Sequence, residues 1–195
     1  MHTILHRINT IELLKKTPSN FGVEIDIRSN GKSLILHHDP FEQGELLEDW
    51  IRSYHHGTLI LNVKEEGLES SVLKLMNQYK IKDFFFLDQS FPFLRKTAVM
   101  GESRCAVRVS EYENIETVLS LSGMVDWVWV DCFTSFPLDK EEANQLKNSG
   151  FKLCLVSPEL QGREKRSQVV EFRRQIEQLG IKGDAVCTKY SDLWG

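Results

Sequence analysis

Several things are missing from this chain. It has no block of lysine and arginine: 24 basic residues stand against 28 acidic ones, a net charge of −4, so a dedicated nucleic-acid interface is not expected. No stretch approaches the roughly 20 consecutive apolar residues that cross a bilayer, and stable membrane insertion is not expected. The first residues, MHTILHRINT, show a short apolar run without a basic start, a long apolar centre or a small-residue cleavage site. A secretory signal is therefore not read there, and a cytoplasmic location is the expectation. The cysteines, Cys105, Cys132, Cys154 and Cys187, form no CxxC pair, which excludes a zinc ribbon or a thioredoxin-type motif. Each lies in or beside an apolar run, as small buried thiols do. No Pro/Ser/Gly-rich linker and no low-complexity segment interrupts the chain, so residues 1–195 are expected to form a single domain.

What is present is an ordinary globular balance, 41% hydrophobic and 27% charged. Short apolar runs recur along the chain: TILHRI (3–8), GVEIDIR (22–28), TLILNVK (58–64), DFFFLDQ (83–89), CAVRVS (105–110), DWVWVD (126–131), FKLCLVS (151–157) and DAVCTKY (184–190). Their near-continuous Val, Ile, Leu and Phe content is that of parallel strands buried on both faces. SLILHH (33–38), after the turn signal Ser29-Asn30-Gly31-Lys32, reads as an inserted hairpin strand. Helix-period segments lie between the runs: 11–16, 46–54, 68–79, 115–121, 140–148 and 163–179.

Strand and helix thus alternate about eight times over 195 residues. That pattern predicts a compact α/β (β/α)8 TIM barrel, with a doubly wound open sheet as the rival. Such barrels usually need about 250 residues, so some helices, the first above all, must be abbreviated.

In either architecture chemistry collects where strands end. His6 and Arg7 close the first run. Glu24 and Asp26, two apart, share a face of the second. His37, His38 and Asp39 follow the hairpin strand, Asn62 and Lys64 share a face of the third run, Asp88 ends the fourth, and Arg108, Asp131 and Lys189 lie on later ones. Charges in apolar runs must be paired, ligating or facing a polar cavity. Carboxylates with an amide oxygen suit a hard divalent ion, Mg2+ or Ca2+, better than zinc. Two histidines can exchange a proton near neutral pH, and arginine and lysine suit a phosphate.

The ordered series His6-Arg7, then Glu24-Ile25-Asp26, then His38-Asp39 resembles the glycerophosphodiester phosphodiesterase family of phospholipase C-like barrels. Lys64 is similar to the lysine of that family's E-x-K on the third strand, and GDAVCTKYSD (183–192) to its closing segment. The resemblance implies a metal-dependent phosphodiester hydrolase acting on a small glycerophosphodiester-like molecule. By the same resemblance His6 and His38 are the acid/base pair, Glu24 and Asp26 hold the metal, and Arg7 and Lys64 contact the phosphate.

The sequence departs from the pattern in places. Asn62 stands where a third acidic ligand is usual; its oxygen can still bind a hard cation, and Asp88, one strand on, is a further candidate metal ligand that would restore the charge. Lys189 stands where an aspartate is common and adds a cation for phosphate. The family's E-N-T stretch is compressed to Asn9-Thr10. A barrel that keeps the phosphate pocket but has lost catalysis is the alternative reading. Phe84–Phe86, Trp127 and Trp129 read as packing residues, whereas Phe91, Phe93, Phe133 and Phe136, placed in loops, are candidates for a substrate mouth.

Overall fold

The computed structural model describes residues 1–194. It divides into two compact units, Ile4–Met100 and Met1–Thr3 with the residues from Gly101 onward.

The first unit opens with the end of β1 (His2–Leu5) and a one-and-a-half-turn helix α1 (Ile11–Lys16). Thr10 caps that helix by accepting the Leu13 N–H, and Lys15 and Lys16 occupy its last turn, where the dipole favours cations. Next comes β2 (Gly22–Ser29), whose Val23, Ile25, Ile27, Glu24 and Asp26 are all fully buried. The turn 30–33 returns the chain antiparallel as β3 (Leu34–Leu36): Asn30 Oδ1 accepts from Lys32 and Ser33 N–H, and Gly31 takes φ 85°. The hairpin strand read from the sequence is therefore present.

A two-residue strand β4 (Glu45–Leu46), not read from the sequence, pairs with β3. Gly44 before it packs so tightly that a Cβ would lie 2.3 Å from the Leu36 carbonyl oxygen. The unit continues with α2 (Leu47–Ile51), β5 (Leu59–Val63), α3 (Glu69–Gln78), β6 (Phe84–Leu87) and α4 (Phe91–Val99). β1, β2, β5 and β6 pair in parallel, with Leu5 opposite Val23 and Asp26 opposite Asn62.

Helix α4 corrects the sequence reading, which placed Phe91 and Phe93 in a loop. Pro92 sits in its first turn, where a missing N–H costs nothing, so the proline starts a helix instead of breaking one.

The second unit repeats the alternation: β7 (Ala106–Val109), α5 (Ile115–Leu119), β8 (Trp127–Val130), α6 (Lys140–Asn148), β9 (Lys152–Val156), α7 (Arg166–Leu179) and β10 (Ala185–Thr188), with consecutive strands paired in parallel. Asp139 and Glu142 form a reciprocal capping box at the start of α6. Gly180, in the left-handed conformation, ends α7. The N–H of His2 donates to the Asp184 carbonyl at 2.9 Å, so the first residues of β1 belong to this unit.

Phe136 lies in the core against Phe172, and Phe133 packs on Tyr112. Phe136 is therefore a packing residue, not the open mouth residue that the sequence offered, while Phe133 is half-buried. All four cysteines are free and buried, as expected. Among the described residues no helix is long and apolar enough to cross a membrane.

Candidate active site

The site grows out of the alternation on β2. Odd positions carry Val23, Ile25 and Ile27, and even positions carry Glu24, Asp26 and Arg28, so the acidic pair shares one face. Parallel pairing puts Asn62 of β5 beside Asp26, and Lys64, two residues further on, beyond it. Both carboxylates are fully buried.

Each carboxylate is held by named donors. Glu24 Oε2 accepts the Arg7 backbone N–H at 2.7 Å, and Oε1 accepts Asn62 Nδ2 at 2.8 Å. Asp26 Oδ2 accepts Asn9 Nδ2 at 2.8 Å, with Arg7 Nε 3.7 Å away. The Lys64 ammonium lies 3.5 Å from Asp26 Oδ1 and donates to Asp88 Oδ2 at 2.9 Å. Burial, reinforced by the negative charge of Asp26, pushes the Glu24 carboxyl up to about 8 against the pull of Asn62, Arg7 and Lys64. Arg7 and Asp88 both adopt left-handed backbone, φ 57° and 59°. Such conformations cost roughly 1–3 kcal/mol and gather at functional sites.

The two histidines have different surroundings. His6, 13% exposed in its side chain, brings Nε2 to 3.8 Å from Glu24 Oε2. His38 is more open, and its Nδ1 lies 2.8 Å from Asp39 Oδ1. That hydrogen bond holds the Asp39 carboxyl below the usual carboxylate range. The backbone around His38 is fixed: Arg28 Nε donates to the His38 carbonyl at 3.0 Å and Nη1 to the Lys64 carbonyl at 3.3 Å. His37 N–H donates to the Asp26 carbonyl, and its ring accepts the Asp39 N–H at 3.0 Å.

An open cleft of about 600 Å³ is lined by Arg7, Asn9, Thr10, His37, His38 and Glu45, among others. Fully exposed Phe41, with φ 66°, lies between His38 and Gly44.

His6, Arg7, Glu24, Asp26, His38, Asn62, Lys64 and Asp88 thus all lie in the first unit, and contacts or a shared cleft link them. Asp88 meets the group through Lys64. Lys189 belongs to the second unit, where buried Glu159 accepts its backbone N–H at 2.8 Å. There Asp131, also fully buried, accepts from Arg108 Nη1 at 2.9 Å and Gln161 Nε2 at 2.6 Å. The Glu111 carboxyl of the same unit is held down at about 2: the backbone N–H groups of Ser135, Thr134 and Phe133 outweigh the opposing effect of burial.

Sequence reading missed the roles of Asn9 and Arg28. The period-2 extension of Glu24 and Asp26 pointed to Arg28. Asn9 carried only the signal of the compressed E-N-T stretch, Asn9-Thr10, which placed it next to His6-Arg7 but gave it no partner.

The donor set suits a hard cation. Asp26 Oδ1 and Asn62 Oδ1 are buried oxygens without a hydrogen-bond donor among the described residues, and the adjacent acidic pair gains from a positive neighbour. Among the described residues no group of three or more His, Cys, Asp and Glu side chains is placed to hold a metal; the third oxygen beside Glu24 and Asp26 is the Asn62 amide.

No family model matches the chain, and no curated protein matches it by sequence. Solved structures match by shape. A glycerophosphodiester phosphodiesterase from Agrobacterium tumefaciens aligns with TM-score 0.65 at 12% identity, over 99% of this chain and 97% of its own. A glycerophosphoryl diester phosphodiesterase from Parabacteroides distasonis gives 0.65 at 14% identity, over 96% and 82%. A mutant tryptophan synthase α-subunit from Pyrococcus furiosus aligns more loosely, TM-score 0.52 at 12% identity, over 98% and 88%. The chain therefore has an α/β fold strongly resembling the glycerophosphodiester phosphodiesterase TIM barrels. The tryptophan synthase likeness illustrates that one such fold serves unrelated chemistry, so function rests on the site.

Proposed function

We propose that this chain is a metal-dependent phosphodiester hydrolase acting on a small glycerophosphodiester-like molecule. The observation that carries the reading is the meeting of Glu24, Asp26 and Asn62, on β2 and β5, with the Lys64 ammonium, the Arg7 side chain and the His6 ring just past the ends of β5 and β1. The fold shared with glycerophosphodiester phosphodiesterases supports it.

Arg7 and Lys64 bind the phosphate and neutralise its charge. His6 and His38 move protons, one accepting from the attacking water or substrate hydroxyl and the other donating to the leaving alkoxide. Arg28 and Asp39 keep His38 oriented from behind. Glu24, Asp26 and Asn62 hold a divalent ion, Mg2+ or Ca2+, with Asp88 as counter-ion to Lys64. When bound, such an ion supplies Lewis-acid charge at the phosphoryl group.

His38→Ala tests the reading. Turnover of bis(p-nitrophenyl) phosphate is expected to fall at least a hundredfold while the circular dichroism spectrum is unchanged. Undiminished turnover rules out His38 as a proton carrier.

A second reading, a barrel that binds a phosphorylated ligand without turning it over, is favoured by one feature. Lys64 is already engaged by two carboxylates, and the third donor, Asn62, is uncharged. Phosphate binding by wild-type protein with no turnover at any divalent-ion concentration selects it.

A further inference from the structure

We infer that Asn9 is a positioning residue for Asp26, deciding which oxygen of that carboxylate faces the reacting groups. The inference rests on the reading of this site as one for phosphoryl chemistry, and on geometry local to three residues. The ladder between β1 and β2 stops at Leu5 opposite Val23. Beyond that point the Asp26 N–H donates to Asn9 Oδ1 at 2.8 Å, and Asn9 Nδ2 donates to Asp26 Oδ2 at 2.8 Å. One amide therefore grips both the backbone and the side chain of one buried residue, which fixes the rotamer of Asp26.

The consequence is an asymmetry between two otherwise equivalent oxygens. Oδ2 is consumed by Asn9 and faces Arg7 Nε at 3.7 Å. Oδ1 accepts no hydrogen bond among the described residues and lies 3.5 Å from the Lys64 ammonium. Asn9 thereby keeps Oδ1 available beside Lys64.

A staple for the loop would not need this side chain. Ile8 N–H already donates to the Glu24 carbonyl at 2.8 Å, and buried Trp50 Nε1 donates to the Ile8 carbonyl at 2.9 Å. Only a side chain offering a donor and an acceptor in one plane satisfies both contacts, which selects an amide over a carboxylate or hydroxyl. Asn9 also lines the cleft that His38 and Arg7 share.

The test compares wild type with Asn9→Ala, Asn9→Asp, Asp26→Ala and the Asn9→Ala/Asp26→Ala pair. The readouts are bis(p-nitrophenyl) phosphate kinetics, circular dichroism, and the carboxyl-carbon NMR resonance of Asp26 in protein labelled at aspartate. Loss of Asn9 is expected to lower kcat by about tenfold to a hundredfold, the range for groups that orient a ligand from behind. KM should stay within about twofold, since Arg7 and Lys64 still hold the phosphate.

The Asp26 resonance should move in Asn9→Ala, and the pair should lose no more activity than Asp26→Ala alone. Asn9→Asp keeps the acceptor for the Asp26 N–H and loses the donor. A carboxylate oxygen then faces Asp26 Oδ2, so this variant should melt below wild type and lose at least as much kcat as Asn9→Ala. An unchanged kcat, additive losses in the pair, or an unmoved Asp26 resonance overturns the inference. Absence of turnover in wild type sinks the phosphodiesterase reading instead. The resonance then decides Asn9 by itself: movement supports it and constancy overturns it.

Discussion

The backbone N–H of Arg7 points at Glu24 Oε2 from 2.7 Å, and the same residue holds a left-handed φ of 57°. One residue therefore does two jobs: its backbone fixes a buried carboxylate, and its side chain reaches toward Asp26.

Substitution separates these jobs. Arg7→Gly removes the guanidinium but adopts the left-handed backbone without strain. Its stability should stay within about 1 kcal/mol of wild type, while inorganic phosphate binding weakens on the order of tenfold. Arg7→Val loses the same guanidinium and places a β-branched side chain at positive φ, so it should be less stable than Arg7→Gly. Thermal melts and phosphate calorimetry check both; equal melting temperatures for the two variants would count against the backbone role.

The pH dependence of stability follows from Glu24. Its folded pKa, about 8, lies above the ordinary 4.5, so between those values the native state binds a proton that the unfolded chain does not. Its contribution is full below about 4.5 and is lost as the pH rises through about 8. In chelator-treated protein the melting temperature should therefore carry a decline across that window. The decline should be absent from Glu24→Gln. Parallel curves for the two proteins would show that Glu24 ionises normally.

On the proposed reading, Asn62 governs how tightly the ion is held. Replacing it with Asp adds charge to an oxygen donor set, which strengthens binding of Mg2+ or Ca2+, on the order of tenfold by calorimetry. Without the ion the same variant places a third carboxylate by Glu24 and Asp26 and loses the Asn62 Nδ2 donor. It should melt below wild type in chelator and recover when the ion is added. Failure of either ion to bind wild type or variant would remove the metal from the mechanism.

Much of this molecule is legible from side-chain periodicity. β2 could be read because Glu24, Asp26 and Arg28 alternate with Val23, Ile25 and Ile27. The pairing of Asp26 with Asn62 follows once β2 and β5 are taken as parallel neighbours. Helix α4 was hidden because Phe-Pro-Phe reads as a loop until Pro92 is placed in a first turn. The clamp of Asn9 on Asp26 was hidden for another reason. It depends on where β1 stops and on a left-handed Arg7, and neither is encoded in any local pattern of residue types. His38 and Lys64 stood out in the sequence as members of the ordered series, whereas the Lys64–Asp88 pair required the coordinates.

The hydrogen bond from His2 to Asp184 carries a lesson about assembly. It joins residues at opposite extremes of the described chain, so nearly the whole polypeptide must be gathered before it closes. Closing so large a loop is entropically expensive and tends to come late. Until then the Asp184 carbonyl waits as an open hydrogen-bond acceptor at the start of a strand. A fragment starting at Ile4 would leave that carbonyl to water or to a stray chain, making this end the natural place to look for aggregation during refolding.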